Sequence, residues 1–107
     1  MLIYSLTSVP TATILQIASF ICPGRAGALS AQLTGFIFWA AADAEYSIYK
    51  NGVQLSGGRT SGAEPTLQLD FKGAPVGLIG GDIILVYASH LETTAQLLNC
   101  TQIIELL

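Results

Sequence analysis

Residues 28–40 read ALSAQLTGFIFWA, and the pattern of this stretch is the strongest indication of the fold. Up to Thr34, apolar and polar residues alternate, which is typical of a β-strand with one buried face. After Gly35 the run is apolar at every position, which suits a strand that is covered on both sides. Gly35 stands between the two patterns and indicates a bulge or bend.

Short runs of β-favouring residues recur along the chain, separated by Gly, Pro, Asn and Asp, which is typical of a sandwich or barrel. The predicted strand segments are Leu2–Leu6, Thr11–Ile21, Ala28–Ala40, Glu45–Lys50, Val53–Leu55, Thr66–Phe71, Ile83–His90 and Thr93–Glu105. Asn51-Gly52 predicts a hairpin with an exposed type I′ turn. Residues 40–46, 56–62 and 72–81 are interpreted as connections, and no helix is predicted.

We therefore predict an all-β fold, an antiparallel and jelly-roll-like β-sandwich of about eight strands, formed by residues 1–107 as one domain. The predicted core consists of Leu33, Phe36, Phe38, Ile48, Leu67, Leu69, Ile84, Val86 and Leu97.

Charged residues are scarce in this chain: they make up 10% of 107 residues, whereas 51% are apolar. An average soluble domain has about 25% charged residues. A monomer of this mass exposes roughly 5,700 Å², which leaves about one charge per 500 Å² of surface. We expect much of this surface to meet another protein, as in a homo-oligomer. The alternative is a surface covered by the many Ser, Thr, Gln and Gly residues.

The charge pattern and the apolar stretches exclude two kinds of partner. The four cations are scattered and the net charge is −3, so no nucleic-acid-binding stripe is predicted. Every apolar stretch falls short of the ~20 residues of a membrane-spanning helix. Residues 1–10 lack the basic start of a signal peptide, so we expect synthesis and assembly in a cytoplasm. The chain starts with Met1 and has one domain, which favours a complete small gene product.

The sequence offers little for catalysis. His90 is the single histidine and follows an apolar strand, which favours a structural role, and no nucleophile motif accompanies it. No ligand spacing predicts a metal site, and Gly77–Asp82 lacks the spacing of a nucleotide-binding loop. We expect no enzyme activity, metal or cofactor. Cys22 and Cys100 are interpreted as reduced, half-buried thiols, with a disulfide as the alternative.

Residues 43–90 resemble β-sandwich domains of bacteriophage structural proteins, both capsid decoration proteins and tail or fibre modules. The residues that carry the likeness are Ala44–Val53 with the Asn51-Gly52 hairpin, Gly58–Ser61, Gly81–Val86 and the strand-terminal His90. The resemblance implies a virion protein, a trimer that clamps the major capsid protein of the shell. A single small domain fits a decoration (cement) protein better than one module of a fibre.

Similar patterns of turns and strands occur in carbohydrate-binding sandwiches, so a module for host attachment is the alternative function. Such a module needs exposed aromatic rings on a strand face or a loop tip. The candidates are Trp39, Tyr4, Tyr46, Tyr49 and Tyr87, and Trp39 lies in a run that is predicted to be buried.

Both ends of the chain are unusually apolar, whereas chain ends are commonly polar and loosely ordered. Residues 1–10 are interpreted as an arm and residues 103–107 as an apolar C-terminal end. The candidate contact residues for a subunit or the capsid are Leu2, Ile3, Tyr4, Leu6, Ile103, Ile104, Leu106 and Leu107. We expect at least one end to reach out and add a strand or an apolar plug to a neighbour. The alternative is that both ends are edge strands of the domain's own sandwich.

Overall fold

Nine β-strands and no helix make up the fold, in a computed structural model that describes all 107 residues. The strands are β1 (Leu2–Val9), β2 (Leu15–Ile21), β3 (Leu29–Trp39), β4 (Ala44–Lys50), β5 (Val53–Thr60), β6 (Thr66–Asp70), β7 (Val76–Ile79), β8 (Ile83–His90) and β9 (Gln96–Leu106). No helix that could cross a membrane is present.

The strands form two antiparallel sheets with nested pairing. The first sheet has the order β1-β9-β3-β6, with β7 also paired to β3, and the second sheet has the order β2-β8-β4-β5. The first strand thus pairs with the last, the second with the one before last, and the fourth with the fifth, as in a jelly roll. β6 and β7 share one edge of β3, opposite residues 35–39 and 29–33, so nine strands occupy eight positions. The predicted sandwich is confirmed.

The inward faces of both sheets form one core of 20 buried residues. Among the predicted core residues, six are fully buried: Leu33, Phe36, Phe38, Ile48, Ile84 and Val86. Leu67 and Leu69 are partly buried against this core. The prediction for Leu97 is wrong, because β9 turns Leu98 inward and leaves Leu97 57% exposed. One residue of register moves a side chain to the other face of a sheet.

An aromatic stack joins the two sheets at the centre of the core. Phe38 of β3 and Tyr46 of β4 lie with ring centroids 4.3 Å apart, and Phe36 lies 5.7 Å from Phe38. These three rings are almost completely excluded from solvent. Each such side chain stabilises the fold by roughly 1.5–3 kcal/mol relative to exposure.

Two predicted connections are strands in the structure. β5 continues through Gly57-Gly58 to Thr60, because these glycines allow close packing: a Cβ on Gly57 would lie 2.7 Å from the Tyr46 carbonyl oxygen, and one on Gly58 would lie 2.7 Å from Leu67. β7 forms within predicted connection 72–81, where it pairs with the first half of β3.

Two local predictions about the backbone are confirmed. The register between β3 and β9 shifts between Leu33 and Gly35, which is the predicted bulge. Asn51 and Gly52 have φ values of 50° and 82°, as a type I′ turn requires. Both turn residues are exposed.

The prediction that residues 1–10 stand apart as an arm is wrong. β1 pairs with β9 along its whole length, from Leu2 opposite Ile103 to Val9 opposite Gln96. The Met1 ammonium donates a 2.6 Å hydrogen bond to the Ile104 carbonyl, and the Ile104 N–H donates to the Met1 carbonyl. β1 stays on the sandwich because its alternation gives it an inward side that reaches the core, where Val9 is fully buried. In this chain both ends are strands of the first sheet.

Candidate interaction surfaces

The outer side of the first sheet carries a set of apolar side chains, called here the apolar face. Its members are Leu2, Tyr4 and Leu6 on β1, Ile103 on β9, and Ile37 and Trp39 on β3. In these rows Leu2 lies opposite Ile103. Thr101 lies between Tyr4 and Ile37, and Asn99 lies between Leu6 and Trp39. Side chains on one face of such rows lie about 5 Å apart.

Charged residues border the apolar face at one end. β1 and β3 contain no charged residue. Glu105 of β9 and Lys72 line a cavity together with Ile103, and Asp70 of β6 pairs with Gly35 of β3. The folded chain exposes 5720 Å², so its eleven charged side chains are as thinly spread as the sequence predicts. An exposed apolar patch rimmed by polar residues is a usual mark of a surface that another protein covers.

The structure brings only part of the predicted contact set together on this face. Leu2, Tyr4 and Leu6 are 69%, 62% and 52% exposed, and Ile103 is half-buried beside them. Leu106 and Leu107 are exposed where β9 ends. The other two predicted contact residues point inward: Ile3 is half-buried and Ile104 is buried.

Sequence reasoning missed the residues of β3 on this face. Trp39 is 43% exposed at the end of β3, so its predicted burial is wrong. Ile37 and Trp39 both face outward in a run that is apolar on both faces. No local signal separates the inner from the outer side of such a run, and only the pairing with β9 does so.

The second sheet has a shallow depression on its outer side, with a volume of about 440 Å³. Its lining consists of Ile14, Ser47, Tyr49, Gly52, Leu85 and Tyr87. The rings of Tyr49 and Tyr87 are perpendicular, with centroids 5.6 Å apart, and both are half-buried. Of the other predicted aromatic candidates, Tyr4 and Trp39 belong to the apolar face and Tyr46 lies in the core.

A polar cavity of about 370 Å³ surrounds His90, lined by Asp43, Glu45, Arg59, Ser89, His90, Leu91 and Glu92. The imidazole is fully engaged: Nε2 lies 2.6 Å from the Val9 carbonyl oxygen, and Nδ1 accepts a 3.1 Å hydrogen bond from the Glu92 N–H. These contacts place the ring hydrogen on Nε2 and leave no nitrogen for proton transfer. His90 therefore ties the end of β8 to the end of β1. No group of three His, Cys, Asp or Glu residues is arranged to hold a metal ion.

Asn51 and Asp82 form a network that ties two turns together. The Asn51 Nδ2 donates to Asp82 Oδ1, and the Ile79 N–H donates to Asp82 Oδ2, both at 2.9 Å. The Ile83 N–H donates to Asn51 Oδ1, also at 2.9 Å, and Lys50 Nζ lies 3.7 Å from Asp82. The hydrogen bonds from Asn51 and Ile79, with the charge of Lys50, hold the pKa of Asp82 below its usual value.

Both cysteines are buried and free, so no disulfide joins them. Burial raises the pKa of the Cys100 thiol to about 12. Burial, and then the charge of Asp82, also raise the pKa of Cys22. Two protonated, buried thiols behave as small apolar side chains, not as nucleophiles.

No protein family, curated protein or solved structure matches this chain. The surfaces themselves are therefore what distinguish one function from another. Two of them are candidates for binding: the apolar face of the first sheet and the tyrosine depression of the second sheet.

Proposed function

We propose that this protein is a non-enzymatic virion structural protein, a capsid decoration (cement) protein that binds the major capsid protein and stabilises the shell as a homo-oligomer. The observation that carries the proposal is the apolar face of the first sheet. Leu2, Tyr4, Leu6 and Trp39 are 43–69% exposed, so leaving them in water forgoes roughly half of the 1.5–3 kcal/mol that full burial of such a side chain is worth. A permanent partner removes this cost.

The fold supports the same proposal by analogy. Jelly rolls recur in viral capsid proteins and in lectins, so the architecture is compatible with shell binding but does not select it. A standard protein interface buries about 800 Å² on each side, which is about one seventh of the 5720 Å² that this chain exposes. The expectation of three subunits rests on the resemblance to phage sandwiches alone.

Shell binding is tested with a variant of the apolar face. Where a major capsid gene lies beside this one, empty shells assembled from its product are sedimented with the wild type and with Trp39→Ser. Trp39 lies at an outward position, so the variant leaves the core intact. We expect the wild type to sediment with the shells and Trp39→Ser to bind at least about 30-fold more weakly, the factor for a loss of about 2 kcal/mol at an interface.

Tyr87→Ser is the matched control, because it removes an aromatic side chain from the outer side of the other sheet. It should bind shells as the wild type does. A wild type that does not sediment with shells, or a Trp39→Ser variant that binds equally well, contradicts the proposal.

The tyrosine depression favours a second candidate function, a carbohydrate-binding module of a tail or fibre that acts in host attachment. Aromatic rings stack on the apolar side of sugar rings, and the Ser47 hydroxyl in the lining offers a hydrogen bond. Binding to a glycan array separates the two functions. For this second function, Tyr87→Ser abolishes glycan binding and Trp39→Ser leaves it unchanged; a wild type that binds no glycan removes the candidate.

A further inference from the structure

The two sheets of a jelly roll have four edge strands in total. In this protein, three of these edges have features that are known to hinder the addition of another strand. β2 has a bulge at Ile17 and β5 has one at Leu55. The remaining edge of the first sheet, opposite β1, is divided between the short strands β6 and β7, which are five and four residues long. Bulges and short strands prevent another chain from adding to an edge.

The fourth edge, β1, has no such device. It is eight residues long, keeps one register with β9 from Leu2 to Val9, and contains no charge, proline or glycine. An exposed, regular and uncharged edge is a template for strand addition. Among the four edges, β1 is therefore the one that the structure leaves open.

The backbone groups that point away from β9 can be assigned from the register. Met1 and Ile104 exchange both of their hydrogen bonds, so they form a hydrogen-bonded pair. In an antiparallel ladder such pairs alternate with pairs that do not bond. The N–H and C=O groups of Leu2, Tyr4, Leu6 and Ser8 therefore point to the open edge, and the side chains of the same residues lie on the outer side of the sheet.

We propose that two copies of this chain pair through β1, antiparallel, about a two-fold axis at Ser5. In this register Leu2 of one copy lies opposite Ser8 of the other, and Tyr4 lies opposite Leu6. All four outward-pointing residues of each copy then form hydrogen-bonded pairs. The strand suits a second copy because pairing with itself opposes no like charges and places an aromatic ring against a leucine.

The two-fold pairing also extends the apolar face. Because the axis is perpendicular to the sheet, the outer sides of both first sheets point the same way and the two faces form one surface. The dimer names the partner in the self-association that the proposed function requires. Only the use of the joined apolar face for shell binding rests on the proposed function. Identical edges close after two subunits, so we expect a dimer where the resemblance implies a trimer.

The decisive variant removes one outward N–H and leaves the ladder of the monomer intact. In Leu6→Pro the lost N–H points away from β9, a position at which edge strands accept proline. Leu6→Ala is the control, because it removes the same side chain and keeps the N–H. By light scattering at micromolar concentration we expect the wild type to be a dimer, Leu6→Pro to be a folded monomer and Leu6→Ala to remain dimeric.

Amide hydrogen exchange gives a second measurement on the unmodified chain. The N–H groups of Tyr4, Leu6 and Ser8 have no partner within one copy, so in the dimer they should exchange slowly, and dilution should remove that protection. A wild-type monomer, a trimer, a dimeric Leu6→Pro or unprotected amides at these positions overturns the inference. The shell-binding assay distinguishes the failure of this inference from the failure of the proposed function. If the wild type is a monomer that still binds shells, only the β1 dimer is wrong. If it is a dimer that binds no shells, only the proposed function is wrong.

Discussion

At the scale of single residues, Asn51 has one role through its backbone and another through its side chain. Its backbone takes the positive φ of 50° that the type I′ turn requires. Its amide bridges the Asp82 carboxylate and the Ile83 N–H, 31 and 32 residues along the chain. The turn that the sequence predicts is thus also the anchor of the turn between β7 and β8.

Gly52→Val tests the turn by itself. The residue has a φ of 82°, and a Cβ there would meet nothing within 4 Å, so the variant changes backbone strain without a steric clash. A β-branched residue resists positive φ, and we expect the free energy of unfolding to fall by on the order of 1 kcal/mol or more. Urea denaturation measures this change. Gly52→Asn should lose less stability, since asparagine accepts positive φ. Equal losses of stability in the two variants contradict the type I′ turn.

Asp82 should make the fold sensitive to acid. Its pKa is lowered in the folded state, so its contribution to stability is complete above the ordinary aspartate pKa of about 4 and is lost as the pH falls through the lowered value. We expect urea unfolding to show a loss of stability from about pH 5 to pH 2 that is smaller in Asp82→Asn. Asn51→Gly keeps the turn but removes the main cause of the low pKa, so it should also flatten the profile. If stability depends on pH in the same way in the wild type, Asp82→Asn and Asn51→Gly, the Asp82 carboxylate does not have this role.

At the scale of strands, β1 shows how an apolar chain end serves the fold and the surface together. Its odd-numbered residues point into the sandwich, with Val9 fully buried, and its even-numbered residues form part of the apolar face. Period-two alternation makes this division possible. An end that looks like a free arm in the sequence is therefore a structural strand.

Deleting residues 1–9 should unfold or strongly destabilise the chain. The deletion removes a complete edge strand, and the burial of Val9 alone is worth roughly 1.5–3 kcal/mol of the 5–15 kcal/mol typical of a domain. Circular dichroism with urea denaturation measures the loss. Deleting Leu107, an exposed residue beyond β9 that makes one backbone hydrogen bond to Ser30, is the control and should cost far less stability. A truncated chain that unfolds cooperatively at the wild-type urea concentration would show that β1 is dispensable.

At the scale of the whole molecule, charge is sparse in both sheets. The strands of the first sheet carry Asp70 and Glu105, and those of the second sheet carry Glu45, Lys50 and Arg59. The scarcity of charge is thus a property of the whole sandwich.

Self-association through uncharged surfaces should respond to salts in a characteristic way. Sodium chloride screens ion pairs, so it should leave the dissociation constant of the dimer nearly unchanged. Sulfate strengthens apolar burial and should lower that constant. Analytical ultracentrifugation over a series of both salts measures the effect. Dissociation of the dimer by sodium chloride indicates contacts between charged groups and contradicts the assignment.

The sequence alone determined the features that depend on near neighbours. Alternation predicted β6 and the first half of β3, an apolar run predicted β8, and the chemistry of Asn51-Gly52 predicted the hairpin. These are local properties of the chain. The scarcity of charge predicted an exposed apolar surface but gave no position for it.

Tertiary structure decided which side of each strand faces out. Trp39 and Leu97 are exposed and Leu98 is buried because β9 pairs with β3 and β1, strands about 60 and 95 residues away in sequence, in one particular register. The glycines of β5 continue a strand because Tyr46 and Leu67 approach them closely. Such contacts join distant parts of the chain, and no local pattern encodes them, because a sheet acquires its register only when its strands pack over a common core.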